Sequence, residues 1–128
     1  MTELKVNYFY FVNLETGEVF EGREEDFDPN DSVWHFRIYY NGQRPVHAVL
    51  AHNSRNGCHG ALVDASFGPA DHALAESQSF QTEPIDSPLE TDKVFLLKKE
   101  TDLGAEVYWK ISSLSEGESS VLIKYAKL

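Results

Sequence analysis

The chain has one cysteine, Cys58, in 128 residues. It cannot form an internal disulfide, so a cross-linked secreted scaffold is excluded. It contains no apolar run near the roughly 18–20 residues with which a helix crosses a bilayer. The start MTELKVNYFYF lacks the basic region and the roughly 7–15-residue apolar stretch of a secretory signal. Positive charge is scarce. Eleven Lys and Arg stand against 21 Asp and Glu, a formal net charge of −10, with a pI near 4.8. Phosphate backbones and anionic lipid heads repel such a chain, so neither nucleic acid nor a membrane surface is an expected partner. There is no Gly-x-x-x-x-Gly-Lys, no Gly-x-Gly-x-x-Gly and no Gly-x-Ser-x-Gly, which removes the common phosphate-cradling, dinucleotide and nucleophile-elbow motifs. Internal repeats and helical apolar stripes of useful length are also missing.

What is present is ordinary globular material. Hydrophobic residues make up 41% and charged residues 25%, and the length suits a single domain over residues 1–128. Short runs rich in Val, Ile, Tyr, Phe and Trp alternate with Gly, Asn, Asp, Ser and Pro, the pattern of an all-β domain. The expected fold is an antiparallel two-sheet sandwich, Greek-key or jelly-roll-like, of about eight to nine strands. A small β-barrel is the runner-up.

The first strand is read over 4–14, apolar on both faces in its middle. Glu15-Thr16-Gly17 then turns the chain, with glycine where a positive φ is needed, and sets Val12 opposite Phe20. A second hairpin runs through 33–40, turns at Asn41-Gly42 and returns over 43–52. In that register Trp34 faces Val49, Phe36 faces His47 and Ile38 faces Pro45. Proline cannot donate to a ladder, so the return strand is expected at a sheet edge, open to a second copy of the chain. Further strands are expected over 60–67, 93–100, 104–114 and 119–128. Ser77 to Thr82 reads as a weak strand and Ala70 to Glu76 as one helical turn capped by Asp71. The last two strands are expected to pair Ile111 with Val121 and Trp109 with Ile123.

Two segments attract functional readings. Nine acids fall within residues 1–31, and Glu24, Glu25, Asp26, Phe27 and Asp28, followed by Pro29, Asn30 and Asp31, form an acidic loop with one aromatic anchor. It suits a basic protein partner. Its alternating Asp26, Asp28 and Asn30 lack the glycine and distal glutamate of a calcium loop. The second segment is His52-Asn53-Ser54-Arg55-Asn56-Gly57-Cys58-His59-Gly60. Asn53, Arg55 and Asn56 supply donors and acceptors for sugar hydroxyls or a peptide. His52, Cys58 and His59, with His47 or His72, have the ligand types of a zinc site, though at no established spacing. Cys58 beside His59, flanked by Gly57, reads as an accessible thiol, and a thiol beside an imidazolium is activated. Trp34 and Trp109 are read as core anchors.

By elimination these features describe a small, acidic, non-catalytic binding protein without cofactor or metal. The expected partner is a protein, basic in character, in the manner of an inhibitor or immunity protein. A carbohydrate-binding, lectin-like module is the first alternative. A metal- or thiol-dependent enzyme centred on the 52–59 loop is the second. Cysteine usage and the missing signal suggest the cytoplasm, or a mature secreted chain whose leader has been removed.

Overall fold

The computed structural model describes residues 2–23, 34–40, 48–64, 75–81, 93–101 and 103–128. The acidic run Glu24–Asp31, Asn41-Gly42, Pro45, His47, Asp71, His72 and the prolines of 84–92 lie outside the described residues. The described residues form nine strands: β1 (Thr2–Asn7), β2 (Phe11–Asn13), β3 (Glu18–Phe20), β4 (Phe36–Tyr40), β5 (Ala48–His52), β6 (Cys58–Asp64), β7 (Lys93–Glu100), β8 (Glu106–Glu116) and β9 (Ser120–Lys127). They form a five-stranded sheet, β1-β9-β8-β7-β6, and a four-stranded sheet, β3-β2-β4-β5. Every pairing is antiparallel. The fold is therefore an all-β sandwich of two sheets. In the larger sheet β6 to β9 form a meander and β1 adds beside β9. Among the described residues no helix is long and apolar enough to cross a membrane.

Side chains that alternate inward from both sheets make the core. The larger sheet contributes Val6, Phe95, Leu97, Trp109, Ile111, Val121 and Ile123, and the smaller Val12, Phe36, Ile38 and Leu50. A second cluster, with Ala61, Ala75, Val94, Leu96 and Tyr108, lies on the other face of β6–β8 and takes Val63 and Phe80 against it. Val94, Phe95, Leu96 and Leu97 are thus all buried in succession, as expected of a strand covered on both faces.

The expected first strand is two strands in different sheets. The chain leaves the larger sheet after Asn7 and enters the smaller at Phe11. A run that is apolar on both faces reads as one central strand, but it equally supplies an apolar face to each sheet in turn. The break falls at Phe9, whose φ of +71° resets the alternation.

Three expected registers are corrected. Phe20 faces Phe11, and Val12 faces Val19. The loop has four residues because Leu14 turns into the core. Asn13 Oδ1 accepts from the Glu15 and Thr16 N–H groups, and Gly17 takes the expected positive φ of +74°. In the second hairpin Phe36 faces His52 and Ile38 faces Leu50, with Tyr40 opposite Ala48. Seven residues, not two, separate the paired strands. Burial of Ile38 against Leu50 sets this register, and the Asn-Gly signal does not. Trp109 faces Lys127 and Ile111 faces Tyr125, with a bulge between Ser113 and Ser115. The strands extend further than the expected turn allowed, and Gly117 N–H closes them on Ser120 O at 2.8 Å. Among the described residues β5 does lie at a sheet edge. Of the expected strand Ser77 to Thr82, the described residues 77–81 contribute a single bridge, Gly60 to Gln81.

Candidate functional site

The 52–59 segment is an inter-sheet connector whose inner side is built into the core. It passes from β5 to β6 through a 3-10 turn, Ser54–Asn56, and closes on Gly57 at φ +73°. Asn53 organises it. Its side chain donates to Trp34 O at 3.1 Å, and its N–H donates to His35 O at 2.8 Å. Its carbonyl accepts from Asn56 and Cys58 N–H. His52, Asn53 and Cys58 are buried, while Arg55 is exposed and Asn56 and His59 are half-buried. The accessible thiol expected at Cys58 is corrected. It is 0% exposed, and burial pushes its pKa up to about 11 despite the opposing pull of Lys99 and of the Asn53 backbone. A thiol held protonated in this way is a poor nucleophile and a poor metal ligand. His59 Nε2 lies 4.0 Å from Glu100 Oε1. Among the described residues no three His, Cys, Asp or Glu side chains gather where they could hold a metal ion. The predicted ligand residues are thus neighbours in sequence that serve different sides of one turn. Predicted partner residues Glu24, Glu25, Asp26, Phe27 and Asp28 lie outside the described residues.

A surface that sequence reasoning did not single out lies where the chain crosses between sheets. Phe9 and Tyr40 are each 42% exposed. The Phe9 ring meets Tyr40 at a centroid distance of 5.0 Å and 72°, and Tyr39 at 5.9 Å and 82°. Behind them Tyr8 meets Tyr40 at 5.5 Å. Arg37 binds the cluster together. Its Nε donates to Phe9 O at 3.3 Å, its Nη1 donates to Tyr39 Oη at 3.2 Å, and its guanidinium sits 4.7 Å from the ring centroids of Phe11 and Tyr39.

The backbone at Phe9 is strained. A bulky side chain at positive φ is a steric outlier, of order 1–3 kcal/mol. The surroundings fix it from both ends: Phe9 N–H donates to Ile38 O at 2.6 Å, and Tyr10 N–H reaches back to Asn7 O at 3.1 Å. The strain holds a large apolar ring at the surface, where burial would have favoured it inside. The sequence signal for this surface was available. Residues 6–12 read VNYFYFV, more apolar side chains than one strand of a half-exposed sheet can bury.

A cleft opens between the sheets at one end of the sandwich, with a volume of about 230 Å³. Asn13, Glu15, His35, Lys99, Thr101, Val107 and Trp109 line it. His35 follows Trp34 in the chain and turns to the other side. It does so by entering the inter-sheet region, where its ring meets Trp109 at 5.0 Å and Nδ1 accepts from Leu14 N–H at 3.0 Å. Burial, and secondarily Lys99, lowers its pKa to about 4 against the contrary effect of Glu15. Trp109 is buried in the core as expected, and Trp34 is buried against Phe11 at 4.8 Å. Comparison with protein-family models, with curated proteins and with solved structures finds no match to this chain.

Proposed function

We propose that this is a small, acidic, non-catalytic binding protein that recognises a basic protein partner through the Phe9–Tyr39–Tyr40–Arg37 surface. The observation that carries this reading is the strained, surface-held ring of Phe9. Aromatic residues and arginine are the side chains that dominate binding energy at protein interfaces. Strain retained at an exposed residue, with two backbone hydrogen bonds holding it, is a mark of a functional position. The net charge of −10 favours a basic partner and speeds its approach. The acidic run Glu24–Asp31 adds to this, since in chain order it joins β3 to β4, both strands of the sheet that carries the cluster. Edge-to-face rings form a ridge, not the flat platform that suits a sugar ring, which places the carbohydrate reading second.

Phe9→Gly is the discriminating variant. Glycine adopts the positive φ without strain, so the crossing is retained while the ring is removed. Wild-type protein and the variant are immobilised side by side and exposed to lysate of the cells that make the protein. The expected result is a basic protein retained by the wild type, released by salt and absent from the Phe9→Gly column. Identical retention on both columns overturns the reading. Saturable, salt-independent binding on a glycan panel would favour the lectin-like alternative in its place.

A further inference from the structure

The inter-sheet cleft has a chemistry separate from the aromatic surface. In a chain of net charge −10 it holds one ammonium group in its lining, with a second close to one of its walls. Lys99 lines it, and Lys127 lies over the Trp109 ring at 5.6 Å. Lys99 Nζ donates to Asn56 O at 2.8 Å, and an ammonium carries three donors. His35 lines the same cleft, and because its Nδ1 accepts from Leu14 N–H the neutral ring carries its proton on Nε2 as a further donor. Val107 and Trp109 supply an apolar wall. The volume, about 230 Å³, falls below the roughly 300–1,000 Å³ of sites for drug-sized ligands. It matches a molecule of about one ring.

We propose that this cleft binds a small aromatic carboxylate, its ring against Val107 and Trp109 and its carboxylate on Lys99. Glu15 lines the same cleft, and its carboxylate repels a carboxylate that enters it. Its Oε1 lies 3.4 Å from Lys127 Nζ, in a pair whose side chains are both about half exposed. Exposed pairs of this kind are weak, so Lys127 leaves much of that repulsion in place. Glu15 then opposes an anionic ligand, and removing its charge strengthens binding. A merely structural salt bridge does not behave in this way.

The test uses benzoate and its uncharged counterpart benzamide as probes, followed by the indole N–H signals of the two tryptophans in proton–nitrogen correlation spectra. Benzoate is expected to shift the Trp109 signal saturably and leave Trp34 unmoved, whereas benzamide shifts neither. Lys99→Gln weakens benzoate binding by about tenfold, the scale of one lost charge-assisted hydrogen bond. Glu15→Gln tightens it. Lys98→Gln leaves it unchanged, because Lys98 instead lies over Phe80 at 5.0 Å and near Glu106 at 3.8 Å. Equal binding of benzamide, or no saturable Trp109 shift in either wild type or Glu15→Gln, overturns the proposal. An effect of Lys98→Gln equal to that of Lys99→Gln does so too. If Lys99→Gln does not fold, the Glu15→Gln comparison and the benzamide control still decide.

Discussion

At the scale of single residues, the clearest energetic statement concerns His35. The ring is 2% exposed and its folded pKa is about 4 against an ordinary 6.5, chiefly because burial penalises the imidazolium. Lys99 and Lys127 press in the same direction and Glu15 opposes them. Between these two values the unfolded chain binds a proton that the folded chain refuses. Stability is therefore fully present above pH 6.5 and falls as the pH drops toward 4. The loss is about 1 kcal/mol by pH 5.5 and approaches roughly 3 kcal/mol near pH 4. His35→Gln keeps an acceptor for Leu14 N–H but does not titrate. Urea unfolding at pH 7 and pH 5.5 should show the wild type losing about 1 kcal/mol more than the variant. The carboxylates and the other histidines are common to both proteins and cancel in that difference. Equal losses would mean that His35 is solvated in the folded state.

At the scale of elements, β6 illustrates how one small residue seats two sheets. A methyl group on Gly60 would lie 2.7 Å from Phe95 Cζ and 2.8 Å from His52 Nδ1. Both rings are buried, so neither can swing aside into solvent. Gly60 also exchanges backbone hydrogen bonds with Gln81, at 3.1 and 2.9 Å, which ties the strand down from its other side. Gly60→Ala should therefore cost about 1–3 kcal/mol and lower Tm by roughly 5–10 °C. Phe95→Leu in the same chain should recover part of that loss, since the two sites share one contact. Additive losses in thermal unfolding would show that the rings repack freely. None of this was legible in the sequence, where Gly60 opened an expected strand and had no assigned neighbour. Strand existence was legible because alternation is local: 93–100 was read with the bounds that β7 has. Register was not, because it is decided across the sandwich. The pairing of Ile38 with Leu50 is a burial contact that the local Asn41-Gly42 signal does not specify. The burial of His52, Asn53 and Cys58 in the 52–59 loop was not legible for a related reason. Polar residues in a loop read as a surface, but Asn53 directs its hydrogen bonds inward to Trp34 and His35. The exposed aromatics meanwhile hid inside an apolar run that looked like core.

At the scale of the whole molecule, the governing quantity is the excess of ten negative charges. The ion pairs among the described residues do not offset it. Lys98–Glu106 at 3.8 Å and Lys127–Glu15 at 3.4 Å both reach solvent, and exposed pairs contribute about 0–1 kcal/mol each. Self-repulsion of the compact state is the larger electrostatic effect, and added salt screens it within a Debye length of about 10 Å at 0.1 M. Stability should therefore rise with sodium chloride between about 0.02 and 0.3 M, seen as a higher urea midpoint at constant slope. Association with a basic partner should respond in the opposite sense. Steering by opposite charge raises on-rates by roughly 10- to 1,000-fold, and the same screening removes it. A surface plasmon resonance series on the captured partner should show the association rate falling by about tenfold or more over that salt range. The dissociation rate, which the proposed binding surface assigns to the Phe9, Tyr39 and Tyr40 contacts, should change little. The two trends share one cause and carry opposite signs, so they separate the reading from simple salting effects. A partner whose association rate ignores salt while the urea midpoint rises would leave the acidity as a solubility feature and remove the basic partner from the proposal.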